Sequence, residues 1–128
     1  MKSVLLDTHA FLWWVSDDSR LSTRARTAIT NAAVVLVSVA SCWEIATKVS
    51  IGKLTLSQPL DRFLAEHLGV NQFTLLPIEL DHAASVVTLP FHHRDPFDRL
   101  LAAQALYEEL PIVSSDPVFR KYKLKRVW

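Results

Sequence analysis

The spacing of apolar and polar positions changes several times along the chain, and each change marks an element. Val4-Leu5-Leu6 and Val34-Val35-Leu36-Val37 are short, unbroken apolar runs, the pattern left by a strand covered on both faces. They predict strands over Ser3–Leu6 and Val34–Ser38, with further strands at residues 73–78, 112–114 and 124–128. Between them the spacing turns helical. Ser22 is placed to cap a helix over Thr23–Asn31. Ser41-Cys-Trp-Glu44 has the spacing of a capping box, opening a helix that runs toward Ile51 and ends at Gly52. Residues 59–68, closed by Gly69, and 80–88, stopped before Pro90, read as two more helices. Asp95-Pro96 sets a capping carboxylate before a proline suited to the first helical position, opening a helix over 97–110. That last helix has little polar face and should pack deeply. Trp13 and Trp14, adjacent on a helix, point about 100° apart, which puts one of them at the surface.

Strands alternating with helices of this length predict an α/β fold. The expected architecture is a three-layer α/β/α sandwich around a central, mostly parallel sheet of four to five strands. No repeat, low-complexity tract or Gly/Ser linker interrupts the 128 residues, so residues 1–128 are expected to form one domain. In such sheets, binding sites form beyond the carboxyl ends of the strands.

Composition removes several classes of function. Half of the residues (50%) are hydrophobic and 21% are charged, too apolar a balance for a disordered chain. Fourteen Lys+Arg against 13 Asp+Glu give a net charge of +1, so no global field draws the chain to nucleic acid or membrane. Two glycines, Gly52 and Gly69, are too few for a Gly-rich phosphate loop, which argues against a nucleotide cofactor. The single cysteine, Cys42, excludes an internal disulfide and any Cys-cluster zinc site, and fits a reducing compartment. The longest apolar stretch, residues 32–40, falls far short of the roughly 20 needed to span a bilayer, and Asp7 interrupts the first apolar run too early for a signal peptide. A cytoplasmic protein with no membrane partner is expected.

Four acids sit against apolar sequence, where solvated charge does not belong. Asp7 directly follows Val4-Leu5-Leu6, and Asp116 follows Ile112-Val113-Ser114-Ser115; both stand at strand ends. Glu44 lies one turn into the helix after the second strand, and Asp98 lies in the first turn of the apolar helix. A parallel sheet brings these elements to one edge. Clustered carboxylates repel, and burial disfavours their charge further, unless a cation joins them. Oxygen ligands without thiols favour Mg2+ or Mn2+, and such ions commonly serve phosphodiester hydrolysis, singly or as a pair about 4 Å apart. All but Asp7, which is the hardest to dismiss, also have a structural use, as does the neighbouring Asp95: Asp95 and Asp116 as caps or turns, Asp98 in the favourable field of a helix start, Glu44 in the capping box and paired with Lys48 at i,i+4.

Together, Leu5-Leu6-Asp7-Thr8-His9, Ser38-x-x-Ser41-x-x-Glu44-Ile45-Ala46, His93-Arg94-Asp95-Pro96-Phe97-Asp98-Arg99 and Ser114-Ser115-Asp116-Pro117-x-Phe119 resemble the motifs of PIN-domain ribonucleases, and more narrowly of the VapC-type toxins of bacterial toxin–antitoxin pairs. The resemblance runs from Asp7 to Phe119 in the family's order. It implies a PIN fold, a metal-dependent endoribonuclease that leaves a 5′-phosphate and a 3′-hydroxyl, an antitoxin that blocks the site, and a homodimer. Carried over residue by residue, it implies that Asp7, Glu44, Asp98 and Asp116 hold one or two Mg2+ or Mn2+ ions, with Thr8 and Ser114 supporting them. Ser114 stands where the family often has Thr, and the hydroxyl is kept.

Other features are open between two readings. Arg94 and Arg99 flank the acids, and either phosphate contacts or local ion pairs fit them. Lys121, Lys123 and Lys125, with Arg120, Arg126, Tyr122 and Trp128, suit RNA-backbone contacts or a lysine-guarded edge strand. His9, His92 and His93 read first as structural, His9 with a general-acid alternative. An exposed tryptophan of the Trp13-Trp14 pair suggests an interface, whether homodimer face or antitoxin groove; Trp43 is expected in the core. Leu12, Phe63, Leu64 and Leu68 are candidates to line the groove. The rival functions are a metal phosphatase, although the second Asp of such sites is here His9, and a non-catalytic binding module for RNA or protein.

Overall fold

The computed structural model describes residues 2–128. Five strands, β1 (Ser3–Leu6), β2 (Val34–Ser38), β3 (Thr74–Leu76), β4 (Ile112–Val113) and β5 (Arg126–Val127), form one sheet in the order β3-β2-β1-β4-β5. Every pairing is parallel. Seven helices cover the sheet: α1 (Thr8–Val15), α2 (Thr23–Asn31), α3 (Val39–Ser50), α4 (Leu60–Val70), α5 (Leu80–Ser85), α6 (Pro96–Tyr107) and α7 (Val118–Lys121). Among the described residues this is the predicted α/β sandwich, with five strands and no antiparallel member.

The apolar runs of β1 and β2 are continuous because both faces of the sheet are covered. Val4 and Leu6 pack with Phe11, Leu21, Ile29 and Phe63 on one side. Leu5 faces the other side, with Leu101, Ala105, Ile112 and Phe119. As expected, α6 is deeply packed: Leu101, Ala102 and Ala105 are fully buried.

Several element boundaries differ from expectation. The predicted capping box at Ser41 and Glu44 does not form. The helix begins one turn earlier, at Val39, with the Ser38 hydroxyl accepting from the Ala40 amide at 2.9 Å. Gly52 does follow the end of α3, at φ +75°. By contrast α4 runs through Gly69, and the chain reverses at Gln72 (φ +56°) after Asn71 Nδ2 has donated to the His67 carbonyl. The helix expected over 80–88 is α5 followed by a 3-10 turn at Val86–Thr88. The strands predicted at 73–78 and 124–128 shorten to β3 and β5.

The strand order places the functional edge. From β1 the chain moves outward to β2 and β3 on one side, while β4 and β5 lie on the other. The connections leaving β1 and β4 therefore diverge, opening a crevice at the carboxyl ends of these neighbours. Among the described residues no helix is long and apolar enough to cross a membrane.

Candidate active site

Asp7 ends β1 and caps α1: its Oδ1 accepts from the Ala10 amide at 2.8 Å. The backbone amide of Asp7 donates to the Val113 carbonyl, which ties the end of β1 to β4. Asp116 follows β4 in a tight turn. Its amide donates to Ser114 Oγ at 3.0 Å, and its Oδ1 accepts from the Val118 amide at 3.0 Å, opening α7. Asp95 caps α6, accepting from the amides of Phe97 and Asp98. The role read for Asp95 from the Asp-Pro pair is the one it has. Capping fixes the backbone on which Asp98 stands.

Asp7, Glu44, Asp98 and Asp116 all line one cleft of about 450 Å³, with Thr8, His9, Trp13, Lys48, Asp95 and Ser115 among the remaining wall residues. Four carboxylates from four separate segments thus share one crevice. Glu44, nearly buried, is held from two sides: Thr8 Oγ1 donates to its Oε1 at 2.7 Å, and Lys48 Nζ lies 2.9 Å from Oε2. The Ser41 hydroxyl, read from sequence as a cap, instead lies 3.0 Å from Thr8 Oγ1. Among the described residues no three of the acids converge on one ligating point.

The electrostatics reflect that crowding. The Asp98 carboxyl is pushed up to about 7, first by burial and then by the charges of Asp95, Asp7, Glu44 and Asp116. Burial also raises Asp7, against the opposing pull of the Ser114 hydroxyl and the Ala10 amide. A hard divalent cation fits this donor set: four carboxylates, no thiol, and a net negative field that a cation would relieve.

Not every candidate belongs to the cleft. Arg99 is 6% exposed, and its guanidinium donates to the carbonyls of Pro90 (2.9 Å) and Leu89 (3.2 Å) beneath the Phe91 ring. It fastens the segment before α6 and is not available to phosphate, a correction to the sequence reading. Arg94 is exposed but is not a cleft-wall residue. Lys123 and Lys125 border a separate hollow beside Leu110 and Pro111, at the amino end of β4, and Lys121 is exposed on α7. The cation that does line the cleft is Lys48, whose signal in sequence was its place one turn after Glu44.

The tryptophans also rearrange. Trp13 and Trp14 are both half-buried: Trp13 packs on His9 and Trp128, and Trp14 Nε1 donates to Asn71 Oδ1 at 2.9 Å. The exposed indole is Trp43, 62% exposed and set edge-to-face on Phe97 at 5.4 Å. A second, more apolar groove of about 540 Å³ adjoins the acidic cleft through shared walls at His9, Trp13 and Lys48. Leu12 and Phe63 line it as anticipated, with Leu54 and Leu56; Leu64 and Leu68 instead pack against the core.

The fold and cleft define a class: an open parallel α/β sheet with an acidic crevice where its strand order reverses. The profile of the PIN domain matches residues 4–125, and the chain belongs to the PIN-domain family. It is 33% identical over 135 residues to Ribonuclease VapC22 of Mycobacterium tuberculosis (strain ATCC 25618 / H37Rv), with 100% of both chains covered. Among solved structures, it resembles VapBC2 from Rickettsia felis, bound to a DNA fragment from their promoter, with a TM-score of 0.71 at 12% identity over 98% of this chain and 99% of that one. DNA-bound VapBC from Salmonella typhimurium gives a TM-score of 0.70 at 16% identity, over 98% and 97%. At such identities the likeness is one of fold.

Proposed function

We propose that this chain is a metal-dependent endoribonuclease that hydrolyses RNA phosphodiester bonds and serves as the toxin of a toxin–antitoxin pair. The observation that carries the reading is the meeting of Asp7, Glu44, Asp98 and Asp116 in one cleft of a PIN-domain chain that aligns end to end with a ribonuclease. These four carboxylates would hold one or two Mg2+ or Mn2+ ions. When bound, such an ion polarises phosphate oxygens and lowers the pKa of water at the site. The chain's own residues supply the rest. Thr8 orients Glu44 through its hydroxyl, and Ser114 supports Asp7 and the turn that presents Asp116. Lys48, at the cleft wall and paired with Glu44, would offer positive charge to an incoming phosphate.

Two partners follow from the surface. The groove lined by Leu12, Leu54, Leu56 and Phe63 suits an apolar antitoxin segment, and its continuity with the acidic cleft would let one segment cover both. The exposed Trp43 supports a homodimer face, since an indole left in water on a small protein favours burial against a second copy.

The test is cleavage of a structured RNA by the purified chain with Mn2+, with EDTA, and after Asp98→Asn substitution. Internal cuts with Mn2+ alone are expected. Cutting by the EDTA-treated protein or by the variant at the wild-type rate would overturn the assignment, and hydrolysis of a small phosphomonoester in place of RNA would favour the phosphatase. Growth arrest of a bacterial host expressing the chain, relieved by co-expressing its antitoxin, tests the toxin role.

A further inference from the structure

His93 lies in the loop before α6 and is largely buried between the cleft and the segment that follows β4. Its Nδ1 is 2.8 Å from the hydroxyl of Tyr122, and its Nε2 is 3.5 Å from Asp98 Oδ2. That Nε2 is buried and has no hydrogen-bond partner, although Asp98 faces it. The ring is clamped edge-to-face on Phe119 (6.2 Å) and tilted against Tyr122 (5.6 Å), and both of those side chains are buried. His93 does not line the acidic cleft, so it approaches Asp98 from behind.

The hydrogen-bonding partners decide the tautomer. With Asp98 ionised, as a metal-holding carboxylate must be, an Nδ1–H donated to the tyrosine oxygen would leave the lone pair of Nε2 facing a carboxylate oxygen in a buried site, both without a donor. If the tyrosine hydroxyl donates to Nδ1, Nε2–H points at Asp98 Oδ2, and the buried donor and acceptor complement each other. The 3.5 Å gap is slightly long for a formed N–H···O bond, and a small rotation of the Asp98 carboxylate would close it.

We infer that His93, held in its Nε2–H tautomer by Tyr122, is a positioning residue for Asp98: it secures Oδ2 from the rear and leaves the other oxygen to face the cleft. The inference rests on the reading of Asp98 as a metal-holding carboxylate. It also gives Tyr122, which sequence placed among the basic tail residues, a part in the site at one remove. Groups that fix the orientation of metal-binding side chains commonly change metal affinity by about 10–100-fold when removed.

The experiment titrates Mn2+ against wild type, Tyr122→Phe, His93→Leu and His93→Gln, following binding by calorimetry and by the shift in Tm, with no RNA present. Tyr122→Phe and His93→Leu are expected to weaken Mn2+ binding about tenfold or more, and His93→Gln, which retains an N–H near the Nε2 position, to recover most of it. On RNA, kcat should fall while KM stays within about twofold, because His93 does not line the cleft. Should His93→Leu fail to fold, Tyr122→Phe carries the test, since it keeps the buried ring and removes only the hydroxyl. Wild-type Mn2+ affinity in both variants, with only the metal-free Tm lowered, would reduce His93 to packing and overturn the inference. Failure of wild type itself to bind Mn2+ would instead overturn the metal reading on which it stands.

Discussion

The hydroxyl of Thr8 donates to Oε1 of Glu44 at 2.7 Å across 36 positions of sequence, joining the first turn of α1 to the second turn of α3. Both residues are buried, so this bond is part of the fold as well as of the cleft. Thr8→Val keeps the shape and removes the donor, leaving a buried carboxylate oxygen short of a partner. It is expected to destabilise the protein by about 1–3 kcal/mol and to slow RNA cleavage, whereas Thr8→Ser restores both. Urea unfolding and initial cleavage rates on the same preparations check this; a stable, fully active Thr8→Val protein would contradict it.

The metal-free protein should lose stability as pH rises through the acidic range. Asp98 is raised to about 7 and Asp7 is raised as well, each chiefly by burial. An acid whose folded-state pKa lies above its unfolded value favours folding while protonated. That stability is fully present below about pH 4 and is lost by about pH 7. The difference in Tm between Asp98→Asn and wild type should therefore widen in favour of the variant across that interval, and Mn2+ should raise the wild-type Tm most at its upper end. A difference that stays constant with pH would remove the buried-charge account.

Arg99 is expected to matter for folding and not for substrate. Arg99→Ala leaves the carbonyls of Leu89 and Pro90 without their donors and removes the guanidinium that stacks on the Phe91 ring. A loss of about 2–4 kcal/mol is expected from these two charge-assisted hydrogen bonds, one buried and one partly buried. At a temperature where the variant is folded, KM for RNA should stay near wild type. An unchanged Tm with a raised KM would return Arg99 to the phosphate-binding role suggested by its sequence position.

The tail lysines and Lys48 should separate in the same assay. Lys123→Glu with Lys125→Glu places new negative charge beside Leu110 and Pro111, away from the carboxylates, and should leave KM for RNA within about twofold at 0.15 M salt, where the Debye length is about 8 Å. Lys48→Ala removes the cation from the cleft wall and should raise KM several-fold. The reverse order of effects would move the RNA path to the far end of the sheet.

Much of this architecture was legible because burial leaves periodic traces. The bounds of β1 and β2 follow directly from apolar runs between polar residues, and Gly52 and Asp95-Pro96 mark turns that only a few residue types make easily. The acids could be placed at one edge because a parallel sheet puts all its carboxyl ends there. Other features were hidden for identifiable reasons. Ser38 and Ser41 are one helical turn apart, and either hydroxyl can cap; Ser41 is instead engaged by Thr8, a partner that lies far away in sequence. The helix α7 is a single turn following Pro117, too short to show a period. Arg99 reads as a phosphate contact or a local ion pair because sequence does not reveal that the backbone carbonyls of Leu89 and Pro90 take up its guanidinium. Trp43 reads as core because its helix packs on the sheet, yet it falls on the outer face beside Phe97.

The Asp7 carboxylate is both wall of the crevice and first anchor of α1. Deleting it outright with alanine therefore does two things at once: it silences any chemistry and unravels a helical start worth about 1 kcal/mol. Asparagine, isosteric and still able to accept the Ala10 amide, removes only the charge. An inactive variant meant for trapping RNA or antitoxin on an undisturbed scaffold is thus better made by a one-atom exchange than by truncation.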